Sequence, residues 1–387
     1  MDNNNIKLNE NIYIQLISLI NYGLFDHELP DDFIISNIEE LYSVSQQHDV
    51  SHIVGYALKK YNYSICDNTY EDFQKQYYLS LLRVTSLDSE TRRIASVLEE
   101  EAIDFIVLKG ESLRRIYPES WMRVSSDIDI LVREESIKTA ISVLKNKLGY
   151  KFKIKSSHDY SFISPKDIHL ELHFILSAKE CRSQSILQNV WSYCRKERNS
   201  MHEYVLNDDF KYFYHMYHAA KHFQLGGCGI RAVIDTWMLN NRINSNKSLR
   251  NALLEESGLI TFSKTIEEIS ENWFTYYKVD YSNIVERYIL FGGVYGAEQG
   301  LMAKQAKSGD NKRYVLYRLF PPLNRIKMTY PFLNKYPFLL PFCWLHRLVK
   351  SIFSGKSDKA RVEFKRAKNC EEESILTAKM FKDLELE

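Results

Sequence analysis

The stretch that decides the fold is SSDIDILV, residues 125–132, in which two aspartates interrupt an otherwise apolar run. Successive side chains of a β-strand point to opposite faces, so Asp127 and Asp129 share one face while Ile128 and Ile130 lie on the other. The pattern therefore predicts a strand with one apolar face and one face that carries paired carboxylates.

Two carboxylates this close repel each other and shift each other's pKa unless a cation neutralises them. A later apolar run, IHLELHF (residues 168–174), offers a third carboxylate, Glu171, on the same face as His169 and His173. Oxygen ligands favour a hard cation such as Mg²⁺, and they also suit Mn²⁺. The residues therefore predict a Mg²⁺ site.

The sequence around this strand predicts a small domain of strands and helices. AIDFIVLKG (residues 102–110) is a buried strand that ends at a glycine, and a short helix follows it. A helix at 133–150, a hairpin at 151–164 and a strand at 167–176 complete the domain. Residues 101–178 therefore form a mixed α/β core.

Helical spacing of apolar residues is found on both sides of this core. We divide the chain into an N-terminal helical region (1–100), the α/β core (101–178), a C-terminal helical domain (179–305) and a proline-punctuated arm with a charged helical tail (306–387). The predicted fold class is α+β, with a small mixed sheet flanked by helical regions.

The composition excludes several functional classes. The 387 residues include 51 Lys and Arg against 50 Asp and Glu, so a net charge of +1 gives no general attraction for a long nucleic acid. The six cysteines lack paired C-x-x-C spacing, which argues against a structural zinc site and a disulfide framework. No signal peptide or run of ~20 apolar residues is found, so we expect a cytoplasmic protein.

The order of these motifs resembles the polymerase-β-like nucleotidyltransferase superfamily. LKGESLRRIYPESWMRVSSDIDILV (108–132) and HLELHF (169–174) are similar to a bacterial family with an L-K-G turn, an R-x-x-S-D-I-D core and an E-L-H strand. The resemblance covers residues 105–176 closely, and a weaker similarity is found further along the chain. It implies the superfamily's fold for the α/β core.

The resemblance also implies an activity. It implies an enzyme that moves an NMP group from an NTP such as ATP to a hydroxyl of a small molecule, sugar phosphate, peptide or protein, with release of pyrophosphate. Asp127, Asp129 and Glu171 would bind the metal and carry the catalysis. The nucleotide would be bound by a second set of residues, namely Lys109, Gly110, Ser112, Arg123 and Ser126.

One residue departs from the superfamily pattern. Its members usually have Gly-Ser or Gly-Gly at the turn, whereas Gly110 is followed by Glu111. A carboxylate that faces a triphosphate is unfavourable, so we expect Glu111 to point away or phosphate binding to depend on Lys109. This departure supports an alternative, a catalytically degenerate nucleotide-binding or scaffold protein. A toxin or defence enzyme that modifies RNA or protein is a further alternative.

The helix that begins at Asp208 carries a second group of candidates. At 100° per residue Lys221 falls inside the apolar stripe, where a lysine is unfavourable unless it meets an anion. In one interpretation Lys221, with His218 or His222, contacts the nucleotide phosphates. In the other, its aliphatic stem lies along the edge of the core.

Other patterns have more than one interpretation. His169, Glu171 and His173 could form a zinc site, but successive positions on one strand face are ~7 Å apart, which favours a hydrogen-bonded role for His173. Arg123 could pair with phosphate or with Glu171 in the site, or it could form a structural salt bridge. Arg231 and Asp235 have the spacing of an ion pair within one helix.

Residues 330–353 contain a predicted helix after Pro341, with an apolar face and basic neighbours. Such a helix could lie in a membrane interface. The prolines and tyrosines of the segment favour a packed arm instead, so we expect it to dock on the helical domain, and peripheral membrane contact is the less favoured alternative.

Overall fold

Four helices form the N-terminal part of the chain. The computed structural model describes residues 3–63, 68–177, 181–224, 227–293, 320, 323–326, 330–334, 336–353 and 371–386. The four helices are α1 (Asn3–Phe25), α2 (Ile38–Gln47), α3 (Ser51–Lys60) and α4 (Asn68–Glu100). They agree with the helical spacing of apolar residues in this part of the sequence.

Helices α3 and α4 approach each other closely at a glycine. A Cβ atom on Gly55 of α3 would lie 2.3 Å from the backbone oxygen of Phe73 in α4, so any side chain there would push the helices apart. Further along α4, Leu87, Ile94 and Leu98 are buried against the sheet. This long helix therefore joins the N-terminal helices to the α/β core.

Within the described residues, seven strands form one mixed sheet in the order β3-β4-β5-β2-β1-β7-β6. They are β1 (Phe105–Val107), β2 (Asp127–Val132), β3 (Lys151–Lys155), β4 (Asp159–Ile163), β5 (His169–His173), β6 (Cys194–Lys196) and β7 (Glu203–Leu206). The central strand β2 is antiparallel to β1 and parallel to β5. Helix α5 (Lys109–Arg114) follows β1, and α6 (Ile137–Asn146) follows β2. The predicted α+β fold is confirmed.

The sheet extends past residue 178, where the sequence analysis ends the α/β core. β7 lies parallel to β1, and β6 pairs with β7 at the edge of the sheet. The helical expectation for 179–305 therefore does not hold between residues 194 and 206. Both strands are short and partly exposed, so they lack the continuous apolar run that identifies β1 and β2.

The two faces of the sheet have different roles. Ile128, Ile130 and Leu170 are buried on one face, which packs against α4 and α6. Leu131 belongs to the other face and packs in the main core with the surrounding helices. Because strand residues alternate, Asp127 and Asp129 lie on that second face, as the sequence predicts.

A second group of helices shares a hydrophobic core with the carboxylate face of the sheet. They are α7 (Gln184–Gln188), α8 (Asp208–Gln224), α9 (Gly229–Arg242), α10 (Lys247–Ser257), α11 (Ile260–Phe274) and α12 (Ile284–Gly292). Their buried residues share one core with the N-terminal helices. For example, the Asn21 side chain of α1 donates a hydrogen bond of 2.9 Å to the backbone oxygen of Trp273 in α11. The two helical regions therefore form one body.

The described part of the C-terminal arm contains helices Leu323–Ile326, Leu340–Phe353 and Glu371–Asp383. Ile326, Leu333 and Cys343 form a small cluster of their own, whereas Met380 and Phe381 join the main core. Docking of residues 330–353 on the helical domain stays a prediction. Across the described ranges, none of the helices has the length and apolar character that crossing a membrane requires.

Candidate active site

The parallel pairing of β2 and β5 brings two acidic residues together. Asp129 is the register partner of Glu171, so their side chains lie next to each other on the same face of the sheet. Asp129 is only 4% exposed, whereas the Glu171 side chain is 37% exposed. One carboxylate is therefore buried in the protein and the other faces the opening of the site.

An ammonium group lies between these two carboxylates. Lys109 Nζ is 2.6 Å from Asp129 Oδ1 and 3.7 Å from Glu171 Oε2. The lysine begins α5 with a φ of +46°, a backbone conformation that side chains with a Cβ rarely adopt. Burial opposes the charged ammonium, but its neighbours, Asp129 first among them, together outweigh burial and raise the pKa of Lys109. The site thus already binds one cationic group.

His173 contacts the same carboxylates from the end of β5. Its Nε2 is 2.8 Å from Asp129 Oδ1 and 3.5 Å from Glu171 Oε2, and the residue is 3% exposed. Burial alone would lower the pKa of His173, but the hydrogen bonds to Asp129 and Glu171 raise it. The predicted hydrogen-bonded role of His173 is confirmed. His169, at the exposed start of the strand, is not in this group.

The pKa values of the two aspartates are shifted in opposite directions. Burial would raise the pKa of Asp129, but Lys109 and His173 outweigh it and hold that pKa well below its usual value. The pKa of Asp127 is raised by burial, and the charges of Asp129 and Glu171 raise it further. Asp127 also accepts a hydrogen bond of 3.3 Å from the Ser126 hydroxyl. Negative charge thus exceeds positive charge at this end of the sheet.

Gly110 lets α5 pack directly against the segment that leads into β2. A Cβ atom at this position would lie 2.7 Å from the Cβ of Ser125. The Ser125 hydroxyl donates to the backbone oxygen of Asp127 at 3.2 Å and accepts from Arg114 at 3.1 Å. The glycine therefore sets the distance between the Lys109 turn and the aspartate strand.

Glu111 is held by an arginine of its own helix. Its carboxylate pairs with Arg114, which also binds Asp88 of α4. Burial raises the pKa of Glu111, although Arg114 opposes this shift. The side chain is thus directed into an ion-pair network, in agreement with the expectation that it points away from a bound triphosphate.

Two other predicted nucleotide-binding residues lie elsewhere. Ser112 lines a cavity of about 150 Å³ between α5 and β7, together with Arg115. The guanidinium of Arg123 is buried and makes two hydrogen bonds, of 2.7 and 2.9 Å, to the carboxylate of Asp235. This corresponds to the ion-pair alternative for Arg123. The predicted Arg231–Asp235 pair does not form, because Arg231 pairs with Asp49 instead.

Helix α8 passes close to the carboxylate group. Burial raises the pKa of Tyr214 to about 12, and the charges of Lys109 and Asp129 also act on it. Burial, with Lys109 next, lowers the pKa of His218 well below its usual value. Lys221 is exposed and does not lie inside an apolar stripe. The buried residues of α8 are consecutive from Tyr212 to Met216, so they do not form the narrow stripe from which the position of Lys221 was predicted. Tyr214 and His218 of α8 are thus near enough to the carboxylate group for its charges to act on them.

One comparison with known proteins shows the family of this chain. Residues 36–269, more than half of the chain, match the family described as "Uncharacterised nucleotidyltransferase". The chain belongs to this nucleotidyltransferase family. The family predicted from the L-K-G turn, the S-D-I-D core and the E-L-H strand is thus confirmed. None of the curated proteins matches the chain.

Two solved structures show a weak likeness to this nucleotidyltransferase. A crystal structure of ANT(2″)-Ia with adenylyl-2″-tobramycin has 13% identity and a TM-score of 0.34, over 43% of this chain and 96% of that chain. A solution structure of the antibiotic-resistance factor ANT(2″)-Ia has 10% identity and a TM-score of 0.28, over 50% of this chain and 94% of that chain. Likenesses of this size decide neither the fold nor the substrate.

Sequence reasoning missed two residues beside the site of this nucleotidyltransferase. Asp159 is the register partner of His173 across β4 and β5, and His158 precedes it. The ring of His158 stacks on that of His173, with centroids 5.9 Å apart. The register of the predicted hairpin against β5 was the only signal that could have found them, and it depends on long-range pairing.

Proposed function

We propose that this chain is a Mg²⁺-dependent nucleotidyltransferase that moves an NMP group from an NTP to a hydroxyl and releases pyrophosphate. The observation that carries the proposal is the pairing of Asp129 with Glu171 on adjacent strands, with Asp127 on the same face. Membership of a nucleotidyltransferase family supports the reaction class. A small molecule, sugar phosphate, peptide or protein is the proposed acceptor.

The donor set fits a hard divalent cation. Ligand atoms of Asp129, Glu171 and His173 lie within 4.8 Å of one another. Asp127 is on the same strand face, and burial, followed by the charges of Asp129 and Glu171, raises its pKa. Asp127, Asp129 and Glu171 would hold the ion, with Mn²⁺ as a substitute for Mg²⁺. The bound ion would neutralise charge on the triphosphate and lower the pKa of the acceptor hydroxyl.

His173 and Glu171 have different tasks in this proposal. The Nε2–H group of His173 donates to Oδ1 of Asp129 and so orients that carboxylate, leaving Oδ2 for the ion. Asp129 and Glu171 both contact Lys109, and Glu171 is the more exposed of the two. Glu171 would therefore accept the proton of the acceptor hydroxyl. In this proposal the buried His173 orients Asp129, and the more exposed Glu171 accepts the proton.

Lys109 is the proposed phosphate contact. Its ammonium pairs with Asp129 and lies 3.7 Å from Glu171. When the ion is held there, the flexible side chain can turn to the phosphates, where a compact positive charge stabilises the leaving pyrophosphate. Gly110 supports this role because it keeps the turn close to β2, and His218 and Lys221 of α8 would contact the nucleotide from the opposite side.

Nucleotide transfer in variants tests the proposal. We expect Asp127→Asn and Asp129→Asn to abolish both NMP transfer and the Mg²⁺-dependent thermal shift given by an NTP, since each loses a charged ligand of the ion. A ligand at 100 times its Kd stabilises a protein by about 2.7 kcal/mol, which a thermal shift detects. Glu135→Gln, an exposed carboxylate just after β2, is the matched control.

The outcomes separate the enzyme from the degenerate scaffold. Retention of transfer in either aspartate variant would contradict the metal assignment. Failure of the wild-type protein to respond to any NTP, with or without Mg²⁺, would favour the scaffold. The Glu111 departure no longer supports that alternative, because Arg114 holds its carboxylate.

A further inference from the structure

We propose that His158, Asp159 and His173 form a binding site for a zinc-class transition metal ion, beside the carboxylate group and chemically distinct from it. One ligand atom from each residue lies within 4.8 Å of the others. In a tetrahedral zinc site with Zn–N bonds of about 2.0–2.1 Å, ligand atoms are roughly 3.3 Å apart, so small side-chain rotations bring these three into range.

The backbone brings the three side chains together. Asp159 and His173 are register partners on the antiparallel strands β4 and β5, so both lie on the same face of the sheet. His158 directly precedes β4, and its Nε2 is 3.1 Å from Oδ2 of Asp159. The ring planes of His158 and His173 are 29° apart. The sheet register therefore holds this donor group without any bound ion.

One ring nitrogen of His173 is buried without a hydrogen-bond partner, which supports metal binding at this residue. The residue is 3% exposed, and its Nδ1 has no hydrogen-bond partner among the described residues. When Nε2–H donates to Asp129 and the ring is neutral, the lone pair lies on Nδ1, where none of the described residues donates a hydrogen bond to it. A buried acceptor without a partner is unfavourable, and a metal ion satisfies it.

Asp129 and Ser156 provide the outer contacts that metal-binding histidines need. Such histidines commonly donate their second ring N–H to a carboxylate or another acceptor, which fixes the tautomer and the ring orientation. Asp129 does this for His173. The Ser156 hydroxyl lies 3.2 Å from Nδ1 of His158 and donates to Oδ2 of Asp159 at 2.6 Å. Nε2 of His158 is thus the nitrogen that faces Asp159 and the ion.

The donor chemistry separates this site from the proposed Mg²⁺ site. Two imidazoles and one carboxylate suit zinc, whereas Mg²⁺ prefers an all-oxygen set. The three residues leave a fourth tetrahedral position open for water. Because His173 joins the two groups, the zinc ion would hold its ring and, through it, the orientation of Asp129.

The test measures metal binding directly and needs no nucleotide. Full-length protein is stripped with a chelator and titrated with Zn²⁺ by calorimetry and with Co²⁺ by absorption spectroscopy, both in excess Mg²⁺. We expect a single ion per chain and the intense visible bands of tetrahedral Co²⁺. His158→Ala and Asp159→Asn should each weaken Zn²⁺ binding by at least about tenfold, the minimum seen for loss of outer contacts alone.

Two controls locate the ion. His169→Ala removes an exposed histidine of the same strand, and Asp127→Asn removes a ligand of the proposed Mg²⁺ site only. Both should leave Zn²⁺ affinity unchanged, and the second should lose NMP transfer. The Zn²⁺ titration is therefore conclusive even if the protein transfers no NMP, and the transfer assay is conclusive even if the protein binds no Zn²⁺.

Three results would overturn the proposal. They are no Zn²⁺ binding by the wild type, unchanged binding in both ligand variants, and loss of binding in Asp127→Asn, which would put the ion among the carboxylates. Circular dichroism of the metal-stripped variants checks folding. His158→Gln replaces either variant that does not fold, and it must show the same loss of affinity.

Discussion

The contact between Lys109 and Asp129 leads to the sharpest prediction for this protein. Two unit charges 2.6 Å apart interact by roughly 6 kcal/mol at an effective dielectric constant of ~20, before the cost of desolvation is subtracted. Removing one partner of a buried pair typically costs about 3–5 kcal/mol. About a quarter of the Lys109 side chain is exposed and His173 still donates to Asp129, so we expect Lys109→Met to lose about 3 kcal/mol.

The same variant should respond differently to Mg²⁺. In the wild type a metal ion competes with the ammonium for Asp129 and Glu171, whereas in Lys109→Met these carboxylates are not neutralised. We therefore expect Mg²⁺ alone to stabilise the variant more than the wild type, and we expect the variant to transfer nucleotides poorly because it lacks the phosphate contact. Urea denaturation with and without Mg²⁺ measures both free energies of unfolding.

Lys147→Met is the matched control for this experiment. Lys147 pairs with Glu101 at the surface, and its side chain is 48% exposed. Exposed pairs contribute about 0–1 kcal/mol. If Lys109→Met were no less stable than Lys147→Met, or if Mg²⁺ did not stabilise it preferentially, the reasoning about the carboxylate group would be refuted.

Three further predictions concern buried groups away from the carboxylates. Burial lowers the pKa of His48 to about 4 from 6.5, and backbone groups form hydrogen bonds with both of its ring nitrogens. Since the unfolded chain binds the proton more readily, the free energy of unfolding should fall by about 3 kcal/mol as the pH drops from 6.5 to 4. Denaturation of His48→Gln should not show this loss. Asp235→Asn should cost about 3–5 kcal/mol in urea denaturation, because it leaves the buried guanidinium of Arg123 without its charged partner. Gly55→Ala should lower stability by about 1–3 kcal/mol or more in the same assay, because the new methyl group meets the backbone of Phe73.

Each of these has a control of similar chemistry. His169→Gln changes an exposed histidine and should leave the pH profile as it is. Asp208→Asn disrupts a pair that is 37% exposed at the aspartate and should cost less than about 1 kcal/mol. Gly23→Ala places its Cβ no closer than 3.3 Å to its neighbours and should be milder than Gly55→Ala. Equal effects of a variant and its control would contradict the corresponding prediction.

Local sequence patterns predicted much of the α/β core. The alternation in SSDIDILV placed Asp127 and Asp129 on one strand face, and the run around Glu171 identified β5 in the same way. Both patterns are short-range, because side-chain alternation depends only on neighbouring residues. β6 and β7 were missed, because strands this short and partly exposed carry little periodic signal.

The partners of charged side chains were much less predictable. Arg123 could have bound phosphate or an acid, and only the fold shows its guanidinium against Asp235, 112 residues further on. Lys221 was placed on the inward face of a regular helix, yet it is exposed. Helical periodicity depends on the residues of one helix only, so it does not predict which elements pack against that helix.

The sequence by itself determined that this protein has a strand with two carboxylates on one face, a third carboxylate on another strand, and a glycine turn after the first strand. Only the tertiary structure decided that Asp129 lies beside Glu171, that Lys109 contacts both, and that His173 joins them to His158 and Asp159. The physical reason is that alternation is local, whereas strand order and register depend on how distant segments bury their apolar faces together.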